Sequence, residues 1–220
     1  MDLHSTLVFV HVLLFVFWLG TDVGVFLGCK ITERSDLSVE TRSTILKLSM
    51  VLDRMPRTAL ALIIPTGLQL AVNLGQLHPP DFVLPVVWAV SLIWTAILWA
   101  GFLNPETPTE KKAMLINFIM NALMAVLVCG FAIYLFVTGD TAVWLNAKIL
   151  MVGLIFITGV VLDALFKPAV EAFVAILTQG ASPERDQAYS KAIGPVYTAV
   201  LTIYLLVLIA AWLGVTKPIF

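Results

Sequence analysis

Charge is what this chain has least of. Only 12% of its 220 residues are Asp, Glu, Lys or Arg, about half the fraction usual in a soluble domain. The formal net charge is −1, which gives no reason to expect nucleic acid or a strongly charged partner. Histidine is scarce as well. Three residues cannot supply the four axial ligands of a two-haem, bis-histidine membrane cytochrome. The two cysteines, Cys29 and Cys129, form neither CxxC nor CxxCH. That excludes the usual covalent c-type haem attachment and the common zinc spacings. There is no nucleotide-binding loop, no HExxH, no GxSxG and no paired-carboxylate sugar site, and no low-complexity tract.

Apolar residues are abundant. They make up 60% of the chain, and the mean hydropathy is +0.99. They fall into six stretches, near 5–28, 53–74, 82–103, 112–137, 145–167 and 191–214. A bilayer core of about 30 Å takes about 20 helical residues to cross, so each stretch is long enough. The expected fold is all-α, a single polytopic transmembrane bundle over 1–220 with about six spans. Residues Met1 to His4 carry no positive charge, so the first stretch reads as a span rather than a signal peptide.

The connections carry turn and cap signals. Leu77-His78-Pro79-Pro80-Asp81 is a tight turn. Thr107 is placed as a helix N-cap, with Pro108 at the first helical position and Glu110 set to close a capping box. Ser182-Pro183-Glu184 marks another helix start. Segment 36–74 has no breaker before Pro56 and Pro65, so it reads as one helix of about 58 Å, kinked at Pro65. The fifth helix should run past Lys167-Pro168 toward Gln179-Gly180. Lys30, Arg34, Arg42, Lys47, Arg54, Arg57, Lys111, Lys112, Lys167, Arg185 and Lys191 fall on one side, and only Lys148 and Lys217 on the other. The positive-inside rule then puts loops one, three and five in the cytoplasm and both termini outside.

Ionisable residues inside a span are costly and usually serve a purpose. His11 is the histidine deepest in a span. His4, His11 and Trp18 recur every seven residues and Asp22 follows four later, so all four share roughly one helix face. A neutral imidazole there suits axial ligation of haem iron; hydrogen bonding to a neighbouring helix is the plainer role. Asp22, Asp53, Arg54, Arg57, Asp163, Lys167 and Glu171 gather toward the inner ends of their helices. Asp22 or Asp163 is expected within ion-pair reach of Arg54, Arg57 or Lys167. This cluster reads as an ion-pair network, as a proton path, or as a clamp for haem propionates, to which arginine offers a bidentate fork. Trp144 and Lys148 open the fifth span as ordinary interface anchors, although Lys148 runs against the charge bias. Asn117 and Asn121, four apart, can bond across helices.

Taken together, these landmarks resemble a known family. His11, with Trp18 seven residues on and Gly20 after it, is similar to the first helix of the bacterial membrane protoporphyrinogen IX oxidases (HemJ-like). Arg57 within RMPRTALALIIP resembles their second-helix motif, and Trp144-Leu145-x-x-Lys148 resembles their last-helix motif. CopD-like copper-resistance membrane proteins share the general pattern. The resemblance covers the first, second and fifth spans, about a third of the chain. It implies a b-type haem with His11 as iron ligand, His11, Trp18, Arg57 and Lys148 as cofactor-binding positions, and Arg57 and Lys148 as catalytic ones. The tyrosine–histidine pair of those oxidases has no counterpart in IFITGVVLDALF. By residue count His11 lies about 12 Å below the outer end of its span and Arg57 about 24 Å below that of the second, whereas Lys148 is near the surface. One haem is therefore expected to use only one of the two basic residues.

The expected function is that of a multi-pass b-type haem protein of the bacterial inner membrane. It would have a redox role, oxidising a porphyrin or passing electrons to a respiratory or dehydrogenase partner, with membrane lipid around it and a homo-oligomer as a further expected assembly. The alternatives are a CopD-like copper or small-solute transporter, or a non-catalytic membrane subunit of a larger complex.

Overall fold

Residues 2–219 are described by a computed structural model. Among them there is no strand, and seven helices follow in order: α1 (Leu3–Thr32), α2 (Val39–Leu52), α3 (Arg54–Asn73), α4 (Val83–Phe102), α5 (Pro108–Thr138), α6 (Val143–Gln179) and α7 (Pro183–Thr216). Six helical stretches, with α2 and α3 counted as one, are long and apolar enough to cross a membrane. The chain is an all-α, multi-pass membrane protein.

The expected long second helix is divided. It stops at Leu52 and restarts at Arg54, with Asp53 between. The cause is Pro56, which has no N–H to give the Leu52 carbonyl and whose ring crowds that carbonyl. In α3 the same proline occupies the first turn, where the missing donor costs nothing. Pro65 is tolerated instead: α3 runs through it without a break.

Other ends follow their signals. Ser182 caps α7, its Oγ accepting the Arg185 N–H at 3.3 Å. At the start of α5, Thr107 Oγ1 accepts the Glu110 N–H at 3.4 Å. The Glu110 carboxylate reaches one residue further back than a standard capping box requires, to the Glu106 N–H at 2.6 Å. The fifth span, α6, continues through Pro168 and ends at Gly180, whose φ of 83° only glycine adopts cheaply.

The chain divides into two compact units, residues 1–22 with 52–119 and residues 23–51 with 120–220. In the first, α3 packs on α4. Trp99 Nε1 donates to Thr58 Oγ1 at 3.1 Å, and Trp94 Nε1 to the buried Asn117 Oδ1 at 3.1 Å. Gly101 lets α4 lie close to Ala113 of α5, whose Cβ would stand 2.7 Å from any Cβ at 101.

In the second unit α6 packs along α7. Cys29, Ala169, Phe173, Ile176, Tyr189, Ile193, Val196 and Tyr197 form its core. A Cβ at Gly153 would run into the Cys129 sulfur and backbone, so this glycine sets the approach of α5 to α6. Asn146, buried in α6, donates to the Leu135 carbonyl in the last turn of α5 at 3.3 Å and accepts from the Thr141 hydroxyl.

Just beyond α1, Glu33 accepts from Tyr197 Oη at 2.7 Å, Ser190 Oγ at 2.7 Å and Lys30 Nζ at 3.2 Å. Burial pushes the Glu33 carboxyl up, but these hydrogen bonds outweigh it and hold the group below its ordinary range. A carboxyl lowered on folding stabilises the protein above the unfolded value, near pH 4.3, and loses that contribution as pH falls through the folded value. Melting temperature in detergent should therefore fall as pH drops below about 4.3, and less steeply in Glu33→Gln. Equal slopes in the two proteins would contradict this account.

Candidate functional site

His11 lies on the inward face of α1. His4, His11 and Asp22 are half-buried and Trp18 is buried, whereas Val12, Val16 and Phe17 on the remaining faces are exposed. The shared face expected from the spacing is therefore the packed one. The His11 ring meets α3 at Thr66 and Gly67. Nδ1 stands 2.9 Å from Thr66 Oγ1, and a Cβ at Gly67 would lie 3.1 Å from His11 Cε1. Gly67 is required here by the close approach of the ring rather than by backbone conformation.

Arg57 belongs to the same unit, nine residues before Thr66 on α3, about 13.5 Å along the axis. Its Nε donates to Asp53 at 2.6 Å, an i, i+4 pair in which both side chains are about a quarter exposed (27% and 23%). Asp53 stands at the junction of α2 and α3. Arg54 lies over the Phe102 ring at 5.6 Å. The structure brings His11, Trp18 and Arg57 into one unit and places Lys148 in the other. Lys148 is half-buried near the start of α6, with its Nζ in the space that a side chain at Gly214 of α7 would fill. Lys217 stands over the Trp144 ring at 5.8 Å.

A polar cluster in the second unit was not singled out by the sequence reading. Arg42, fully buried in α2, donates from Nε to the Thr32 carbonyl at 2.7 Å and from Nη1 to Asp186 at 2.8 Å. Its guanidinium lies 5.8 Å from the Phe173 ring, and Thr32 Oγ1 and Tyr189 Oη are 2.7 Å apart beside it. Thr32 ends α1, where carbonyls lack intrahelical donors, and Asp186 lies in the first turns of α7, where a negative charge is favoured. Arg42 therefore ties three helix ends together. The signal lay in the spacing: Val39 and Leu46 pack on the core and Ser49 is buried, so Arg42 falls on a buried helical stripe.

Among the described residues, no three His, Cys, Asp or Glu come together to hold a bare metal ion. Haem is a different requirement, because the porphyrin supplies four of the iron ligands. Comparison with protein-family models, curated proteins and solved structures finds no match.

Proposed function

We propose that this chain is a b-type haem protein of the bacterial inner membrane with a redox role, in which His11 is an axial iron ligand. The observation that carries the reading is the setting of His11. Its imidazole is half-buried in a span, is hydrogen-bonded at Nδ1 to a neighbouring helix, and lies against a glycine that leaves room for the ring. Metal-binding histidines commonly carry such an orienting hydrogen bond on the nitrogen that does not ligate. The donor set therefore fits a haem iron.

When bound, the haem would supply one-electron chemistry, between a porphyrin or quinone-type donor and a respiratory partner. The protein's part is to hold the ring, exclude water and bind the propionates. Arg57 would take a propionate with its fork while Asp53 holds its Nε.

The test is the ultraviolet-visible spectrum of protein purified from haem-replete cells, oxidised and reduced. A Soret band that shifts on reduction is expected. A colourless protein would end the proposal.

The proposed orientation puts both termini outside. Single cysteines at Ser38 and Gln76, in a chain with Cys29 and Cys129 replaced, should behave oppositely toward an impermeant thiol reagent on intact cells: Gln76 labelled and Ser38 protected. Labelling of Ser38 from outside would reverse the orientation.

A further inference from the structure

Of the 13 Lys and Arg residues, only Lys148 and Lys217 fall on the side of the membrane where α6 begins and α7 ends. The fold brings both into one seam, along which α6 packs on α7. Lys148 reaches across to α7, its Nζ in the place that a Cβ at Gly214 would take. Lys217 caps α7 with φ 44°, a left-handed conformation uncommon for a residue with a side chain. Its Nζ lies back over α6, 5.8 Å from the centre of the Trp144 ring. Trp144 and Lys148 are four residues apart and share one face of α6. The two ammonium groups are near enough to repel one another.

Their depth is set by the helices. Lys148 is five residues into α6, about 7.5 Å from its start. Side chains tilt toward the N-terminus of a helix, so its stem runs outward. The ammonium comes level with Gly214, two residues, or about 3 Å, from the end of α7. The ends of spanning helices meet the headgroup region of a bilayer. Among the described residues neither ammonium meets a carboxylate or donates a hydrogen bond; the ion pairs lie elsewhere, and Asp140, in the loop before α6, is in none of them. The carbonyl end of α7 favours a cation, and the Trp144 face holds one. Two like charges in one seam still repel until an anion lies between them.

We propose that Lys148 and Lys217 together bind the phosphate of an anionic phospholipid, one lipid per chain, in the leaflet that meets the start of α6 and the end of α7. Lysine recognises phosphate as a point charge on a flexible stem, so two stems converging from different helices suit it. Val143, Trp212 and Val215 beside the seam are exposed and offer acyl chains an apolar surface, which a free phosphate ion does not need. No part of this depends on haem.

Native mass spectrometry of the full-length protein in a neutral detergent tests the site, with phosphatidylglycerol, phosphatidylcholine or inorganic phosphate added at equal concentration. Wild type is expected to retain one phosphatidylglycerol per chain under conditions that strip phosphatidylcholine. Lys148→Gln and Lys217→Gln should each weaken retention about fivefold, and the double variant about 25-fold. Lys191→Gln removes a cation from the other end of α7 and should bind as wild type. Gly214→Leu keeps both cations but fills the place of the Lys148 ammonium, and should weaken retention as much as Lys148→Gln does; circular dichroism confirms that its helices are kept. Wild-type retention in the double variant or in folded Gly214→Leu, equal retention of phosphatidylcholine, or a loss in Lys191→Gln as large as in Lys148→Gln would overturn the site. Inorganic phosphate held as firmly as phosphatidylglycerol would assign the lysines to a soluble anion and overturn the lipid.

Discussion

Replacing Arg42 with alanine should lower the unfolding free energy by about 3–5 kcal/mol, the cost of removing one partner of a buried ion pair. The Arg42 side chain is 0% exposed, whereas Asp186 keeps 16% exposure, so the buried guanidinium is the group that solvent does not reach. The substitution leaves the Asp186 carboxylate without its cation and the Thr32 carbonyl at the end of α1 without its donor, and it takes a cation away from the Phe173 ring. Denaturation in detergent, followed by tryptophan fluorescence, measures the change. Asp186→Asn keeps a hydrogen-bond acceptor and should cost less. Arg42→Met combined with Asp186→Leu should recover most of the loss, because replacing a buried pair by apolar groups is often neutral. A loss below about 1 kcal/mol for Arg42→Ala, the range of an exposed pair, would show that the guanidinium is solvated in the folded protein.

The six spans were legible because lipid imposes a length on apolar runs. The inward face of α1 was legible because two turns of helix return to nearly the same side, which put His11 and Trp18 together. Pairing was harder to read. The partner that holds the Arg57 Nε is Asp53, four residues away on the same stretch, a contact that spacing alone does not single out. The break at Asp53 passed unseen because Pro56 was read as a point inside a helix rather than as the first turn of a new one. Arg42 was counted with the loop charges; net charge and side say nothing about burial, whereas the 39, 42, 46, 49 spacing does. Thr66 and Gly67 carry no motif at all. Their part in the site depends on which turn of α3 lies opposite His11, a property of helix packing that no single stretch of sequence contains.

That packing supplies the sharpest functional prediction. His11→Ala should abolish haem binding, since it removes the proposed ligand. Gly67→Leu should weaken it about ten- to a hundredfold while leaving the ligand in the chain. Gly67 sits in a helix interior, where alanine would ordinarily be favoured by about 0.8–1 kcal/mol, so the glycine costs stability that its contact must justify. A Cβ there would lie 3.1 Å from His11 Cε1, 3.8 Å from Nδ1 and 4.0 Å from Nε2. Alanine therefore asks the ring to retreat by a few tenths of an ångström, and Gly67→Ala should show a modest loss of affinity together with a gain in thermal stability. Leucine adds atoms that must occupy the volume of the ring itself. Overpacking of this kind typically costs 1–3 kcal/mol, and each 1.4 kcal/mol is a factor of ten in binding. Haem titration followed at the Soret band measures both variants, and circular dichroism confirms that the helices are kept. Wild-type haem affinity in a folded Gly67→Leu protein would mean that the ligand is not an imidazole lying against α3, and the assignment of His11 would fall with it.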